Sequence, residues 1–366
     1  MSQLTQTVDS TALATPLATH QLSGNPSLSL KMHQGALAVQ SFTSLTQETA
    51  SLLHSVGIYD LGYRTWLRIT GEDRVRWLNG MVTNTVQDLA EDHLNYTFIL
   101  NAQGRIQGDA DIYRFADHLL LETDRLQSAH LLAHLDRFII MDDVELQELD
   151  ASTTAIGIAG PHAAEILAQM GVAVPEPLAF AQATIHEIKI TVAHLYSPIV
   201  PRFEIWVPTA DVEAVWSVLT NAGAIPCGID ALEALRILEA TPLYGIDIHD
   251  KHLAQETNQT RALNFSKGCY LGQEIVERIR SRANVHRGLQ QFELSGNPQA
   301  SSQPIELRAN DAAVGELTSI ATYQLPEFTG TLALGFIRNE ALERKLPISY
   351  DSGTATALDA PPNLLR

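Results

Sequence analysis

The chain is short of cysteine, of positive charge and of long apolar runs, and each shortage narrows what it can be. Two cysteines among 366 residues, Cys227 and Cys269, make no disulfide framework, and neither sits in a Cys-x-x-Cys or Cys/His zinc spacing. A reducing, cytoplasmic setting without a resident metal is the expectation. Lysine and arginine number 24 against 42 acids, a formal charge of −18. A polyanionic backbone rewards the opposite balance, so no direct nucleic-acid partner is expected. No stretch approaches the roughly 20 apolar residues that span a bilayer, so no membrane association is expected. Met1 to Leu30 holds no lysine or arginine, and the first aromatic residue is Phe42. That segment reads as neither a signal nor a basic transit peptide, and residues 1–36 are expected to form a disordered tail.

What is present is enough apolar residue, 45%, to fill two or three packed units. Ser44 with Gln47 has the spacing of a capping box that opens a helix through Leu52 and Leu53. Thr70-Gly71-Glu72-Asp73 carries cap chemistry ahead of Val75, Leu78 and Met81. Tyr96 to Leu100, Ile106 to Phe115 and Leu119 to Glu122 read as an antiparallel meander, and Arg125 to Phe138 as a long helix. In that helix His130 and His134 share a face, but no further ligand motif accompanies them, so a structural role is expected. Gly157 to Pro161 lacks the third glycine of a dinucleotide loop, and Pro161 is expected at a helix start. Strands and helices grouped in this way predict an α+β fold. After residue 289, short strands broken by turn residues predict a small β-barrel.

Lys267-Gly268-Cys269-Tyr270-Leu271-Gly272-Gln273-Glu274 sets a cysteine between glycines just ahead of the apolar positions Ile275, Val276 and Ile279. Free N–H groups at a helix start, with Lys267, would stabilise a thiolate at Cys269. The competing reading is a buried structural cysteine behind a tight turn. Downstream, Arg278, Arg280, Arg282, His286 and Arg287 stand without an acid among them. As a strand, this run would put three arginines on one face, either to hold carboxylates or phosphates or as a solvated edge.

The octapeptide matches the signature Lys-Gly-Cys-Tyr/Phe-x-Gly-Gln-Glu of the YgfZ-type folate-binding proteins, relatives of the glycine-cleavage T-protein (aminomethyltransferase). Other landmarks resemble that superfamily from about Phe42 to about Tyr350. They are Gly57-Ile58-Tyr59-Asp60, Thr70-Gly71-x-Asp73-Arg74, Gly160-Pro161-His162-Ala163, Gly315-Glu316-Leu317-Thr318-Ser319 and Ala333 to Arg338. The resemblance implies three subdomains around a central channel, with a folate-binding region at 37–289 and a barrel domain at 290–366. It implies tetrahydrofolate or a one-carbon derivative as cofactor and iron–sulfur client or assembly proteins as partners. Cys269 would be the functional thiol in assembly or repair of iron–sulfur proteins. Asp109 would face the channel, with Asp111 as an open alternative two residues on. Lys267, Tyr270, Gln273, Glu274, Arg278 and Arg280 complete the expected cofactor-binding set.

Two departures from the T-protein pattern stand out. Leu238 occupies the place of a pterin-binding glutamate, with Glu239 one residue later and rotated by about 100° on a helix, and Ala240 replaces a glycine. Ser197-Pro198-Ile199 stands where T-proteins approach their mid-chain glutamate strand through Tyr-Thr-Gly-Glu. A one-carbon transferase and a ligand-free interaction scaffold are the alternative functions.

Overall fold

The computed structural model of the protein describes residues 13–282, 285–296, 298 and 304–362. Two antiparallel sheets and a barrel share one core. The first sheet runs in the order His93–Leu100, Ile106–Arg114, Leu119–Asp124, Arg64–Thr70, Glu145–Glu148, so the expected meander forms its leading edge. Helices Arg74–Asn79 and Arg125–Asp136 lie on one side of it, where Leu67, Leu78, Ile112, Leu121, Leu131 and Leu135 pack as a cluster. The second sheet is six-stranded. It places Arg202–Pro208 between Ile188–Leu195 and Thr153–Ala159, and beyond the latter come Gly57–Asp60 and the parallel pair Ile225–Pro226.

The remaining faces of the two sheets meet each other and the barrel in the largest buried cluster. Trp66 of the first sheet lies edge-on to Trp206 of the second with ring centroids 5.2 Å apart, and Tyr113 lies 4.6 Å from the same ring. Six strands from Arg287 to Leu358 close the expected barrel. Its first strand, Arg287–Leu294, spans the expected boundary at 289, because its pairing with Thr329–Arg338 begins at Arg287. Of the turn Ser295 to Pro298, Asn297 lies outside the described residues.

A buried ion pair bolts the barrel on. Arg236 Nη1 donates to Asp247 at 2.7 Å, Arg236 Nη2 donates to Ser319 Oγ at 2.8 Å, and Ser319 donates to Asp247 at 2.7 Å.

Two local expectations hold, at Ser44 and at His134. The Ser44–Gln47 capping box is formed ahead of Leu45–His54, and His134 is buried with Nε2 against the carbonyl of Leu100 at 3.1 Å. Among the described residues no cluster of metal-ligating side chains occurs, and no helix is long and apolar enough to cross a membrane.

Other expectations are corrected. The tail is not disordered over its whole length. Residues 1–12 lie outside the described ones, but Pro16–Gly24 is a helix and Leu30–His33 pairs with Ala36–Val39. Thr15 caps that helix by accepting from the Ala18 N–H at 3.1 Å, and it also bonds Asp60. Leu17 and Ala18 are fully buried, so two small apolar anchors and a cap order a segment whose composition looks loose. Asp73 makes no helix-cap bond; it accepts instead from the Asp143 N–H at 3.0 Å. The arginine run is not one strand either. Gln273–Arg282 is helical, and Arg287 already belongs to the barrel, because Ile275, Val276 and Ile279 carry the helical apolar period into it. Ala283, Asn284 and the Arg282 side chain lie outside the described residues.

Candidate functional site

The octapeptide is a mount built from its own buried members. Lys267 does not approach the thiol. Its Nζ donates to the carbonyls of Asn79, Val82 and Asn84 at 2.6, 2.7 and 2.7 Å. Burial pushes this amine down, to about 7, while three close carbonyl acceptors favour the ammonium and hold its charge. Tyr270 is buried among Phe98, Leu100, Ile106 and Val276, and burial raises its hydroxyl to about 12. Gly272 adopts φ +82° beside the carbonyl oxygen of Asn101. The Leu271 N–H is tied to Gly80 O at 2.9 Å. Between these anchors Gly268 and Cys269 are exposed.

The helix starts four residues beyond the thiol, at Gln273, and three of its first four N–H groups are occupied. That of Gln273 donates to Tyr270 O at 3.1 Å, and those of Ile275 and Val276 to Gly272 O. Lys267 and these three N–H groups are therefore committed to partners other than Cys269. The buried-cysteine alternative fails, and it describes Cys227 instead. That thiol is buried, and burial with the nearby Glu48 charge holds it well above the usual range.

A cleft of about 300 Å³ opens between the barrel, the loop that follows Ile188–Leu195 of the second sheet, and the segments 239–241 and 257–261. Tyr196, Glu239, Gln259, Arg261 and Gln291 are among the residues that line it. Arg261 is sandwiched, with its guanidinium 4.0 Å from the Tyr96 ring centroid and 4.7 Å from that of Tyr196. Tyr96 donates its hydroxyl to Asp109 at 2.7 Å, and Gln127 Nε2 donates to the other Asp109 oxygen at 2.9 Å. Asp109 is thus half-buried and doubly fixed beside the stacked pair.

Asp111, on the same strand face, belongs to a different set. Arg64 reaches Asp111 at 3.5 Å, Glu122 at 2.9 Å and Asp124 at 2.8 Å. Glu204 adds a fourth carboxylate. It is buried beside Glu122, and burial and that neighbour's charge push it well above the usual carboxylate range. Burial also raises Asp111, to about 6. Several carboxylates around one guanidinium at low dielectric oppose one another's ionisation. Trp66, paired with Glu122 across the sheet, buries its Nε1 without a hydrogen bond.

The structure separates the sequence-derived set. Asp109 lies next to the cleft through Tyr96. None of Lys267, Cys269, Tyr270, Gln273, Glu274, Arg278 and Arg280 lines it. Glu274 and Arg278 are exposed on their helix, and Arg280 stacks over Phe265 at 4.8 Å and pairs with Glu277 at 3.3 Å. Glu239 is more involved than its register suggested. It follows the last residue of Ile229–Leu238, accepts from Ser197 Oγ, and faces Arg202 at 3.8 Å. Leu238 stays in the core, so Glu239 lines the cleft from its own position rather than in Leu238's place.

Sequence reasoning also passed over Arg64, Tyr96, Gln127, Arg261 and Gln291. Alternation along His93–Leu100 puts Tyr96 on the apolar face with Leu94, Phe98 and Leu100, so the local pattern marks it as a core residue. Arg261 lies in an irregular stretch where no period exists to read.

The whole-chain comparisons agree with this architecture. Residues 33–267 match the GCVT N-terminal domain, well over half of the chain. The chain belongs to the GCVT family. Among its relatives, an aminomethyltransferase of Exiguobacterium sibiricum is 24% identical over 241 residues, 64% of this chain and 66% of that protein. A candidate chloroplastic transferase of Arabidopsis thaliana is 24% identical over 309 residues, 83% of this chain and 70% of that protein. The chain thus spans about two thirds of the length of these relatives. The crystal structure of the glycine cleavage system aminomethyltransferase T from Bartonella henselae superposes with a TM-score of 0.83 at 17% identity, covering 96% of this chain and 97% of that one. In this GCVT-family fold, the cleft borders the barrel and the Arg64 group lies between the two sheets.

Proposed function

We propose that this GCVT-family protein binds tetrahydrofolate, or a one-carbon derivative of it, in the cleft beside its barrel. In this reading it serves as an accessory factor in assembly or repair of iron–sulfur proteins, with Cys269 as the functional thiol. The observation that carries the reading is the construction of the octapeptide. Lys267, Tyr270 and Gly272 are spent on buried anchoring, and the cysteine is the residue they hold out to solvent. A thiol displayed in this way can meet a protein partner, and a single thiol supplies one cluster ligand at most, so it acts in a transient exchange.

The central residues fit the cofactor. Glu239 Oε2 and Gln291 Oε1 are buried acceptors without a hydrogen bond beside the cleft. Gln291 cannot turn its amide round, because Nε2 donates to the carbonyls of Ile237 and Leu238 at 2.6 and 3.0 Å. These two acceptors suit a planar ligand rich in N–H donors, as a reduced pteridine is. Arg261 suits its carboxylates.

A calorimetric titration with tetrahydrofolate tests the ligand. Saturable binding is expected to the wild type and to Cys269→Ala, and binding about tenfold or more weaker to Arg261→Ala; no binding to the wild type rejects the folate site. In cells lacking the protein, activity of an iron–sulfur enzyme is expected to return with the wild type and not with Cys269→Ala. Equal restoration by both rejects the role of the thiol.

One observation favours a second reading, one-carbon transfer. Asp109 is fixed by two hydrogen bonds beside the cleft, in the manner of a residue that handles a proton. Transfer of a one-carbon unit from an amine to tetrahydrofolate, lost in Asp109→Asn and intact in Cys269→Ala, would select it.

A further inference from the structure

Two segments run side by side between the cleft and the thiol. Residues 260–271 form a strap with Arg261 near one end and Cys269 near the other, and residues 79–84 form the bed beneath it. Ties recur along its length. Asn84 Nδ2 donates to Arg261 O at 2.9 Å, and Thr83 Oγ1 donates to Ala262 O at 2.7 Å. The Asn264 N–H donates to Thr83 O at 3.0 Å, and Leu271 N–H to Gly80 O at 2.9 Å. Lys267 contributes its three bonds in between.

Asn84 is the junction of this arrangement. Its side chain also donates to the carbonyl of Tyr96 at 2.9 Å, the residue on which Arg261 stacks, and its own carbonyl receives Lys267. One residue therefore touches both members of the stacked pair and the amine two positions before the thiol. The two ends of the strap differ in freedom. The Arg261 guanidinium is held by stacking and one long hydrogen bond to Gln259, 3.4 Å, so a ligand in the cleft can shift it. At Gly268 no atom lies within 4 Å of where a Cβ would stand, so the thiol end has room to respond.

We infer that Lys267 and Asn84 are positioning residues that couple the exposure of Cys269 to occupancy of the cleft. The inference rests on the folate reading for its ligand but not for its geometry. Coupling between two sites is reciprocal, so modification of the thiol must alter ligand affinity by the same factor as the ligand alters the equilibrium exposure of the thiol. For a partner-directed thiol this would report, at the surface, whether the cofactor is loaded.

The test times labelling of Cys269 by a thiol reagent, with and without tetrahydrofolate, in the full chain, while calorimetry reads binding separately. Saturating tetrahydrofolate is expected to change the wild-type labelling rate by about fivefold or more. Asn84→Ala keeps the carbonyl used by Lys267 but cuts the side-chain ties to Tyr96 and Arg261, along with the bond accepted from the Thr85 N–H, and it is expected to abolish the change while still binding. Without ligand, Asn84→Ala and Lys267→Met are expected to label faster than wild type. If Lys267→Met does not fold, Asn84→Ala decides. Binding without any change in wild-type labelling overturns the inference and leaves the folate reading standing, and coupling that survives Asn84→Ala also overturns it. If tetrahydrofolate does not bind, the folate reading fails, and the ligand-free rates decide the positioning: faster labelling in the variants supports it, and unchanged rates overturn it.

Discussion

Gly272 passes so close to Asn101 that a Cβ on it would stand 2.6 Å from the Asn101 carbonyl oxygen. This contact seats the octapeptide on the turn between two strands of the first sheet. Gly272→Ala must push that turn away and hold alanine at φ +82°, at a cost of about 2 kcal/mol or more. Gly268→Ala meets nothing within 4 Å and should stay within about 0.5 kcal/mol of wild type. Urea unfolding of the two variants checks the contrast; equal midpoints would contradict the seating.

Ala240 takes φ +53°, at a position where the resemblance to the T-protein implies glycine. A left-handed alanine costs roughly 1–2 kcal/mol, and the extra freedom of an unfolded glycine returns about 0.4–1 kcal/mol of any gain. Ala240→Gly is therefore expected to stabilise the protein by less than about 1 kcal/mol. A thermal melt should rise by about 1–2 °C, and a fall would contradict the strain at this residue.

Asp60 is fully buried under the first helix, and burial raises its carboxyl from the ordinary 3.8 to about 6, against the hydrogen bonds of Thr15 and Gly62. The folded state then binds this proton more tightly than the unfolded state. Stability from this group is greatest below pH 3.8 and falls as pH rises towards 6. Two units correspond to about 3 kcal/mol. Relative to Asp60→Asn, the wild type should lose stability between pH 4 and pH 7, read from unfolding midpoints at each pH. A constant difference across that range would show that the carboxyl is not perturbed.

The two thiols should separate in rate. Cys269 is exposed and Cys227 is buried against the Glu48 carbonyl, so a thiol reagent should label Cys269 at least about tenfold faster in the native protein. Denaturant should remove the difference. Mass spectrometry of the labelled peptides assigns the sites, and equal native rates would contradict the exposure of Cys269.

Much of this fold was legible because it rests on local periods. The meander, the Ser44 cap and the short strands of the barrel all declare themselves within a few residues of sequence. The ordered segment Thr15–Val39 did not, because its order comes from Leu17 and Ala18 packing under a distant sheet and from Thr15 reaching Asp60, forty-five residues away. The arginine run misled because an alternating charge pattern and a helical apolar pattern overlap in it, and burial of Val276 decides for the helix.

The sequence by itself determined the family, through landmarks spread from Gly57 to Arg338, and it singled out Cys269 by the residues around it. Only the tertiary structure decided what those residues do. Lys267 stands two positions from the thiol in the chain, yet its amine lies in a cage of carbonyls from residues 79–84. Burying an ammonium requires several acceptors at once, and only another segment of backbone could provide them. Arg261, Tyr96 and Tyr196 become one stack for the same reason. Side chains far apart in sequence meet in the folded chain, and no local pattern records that meeting.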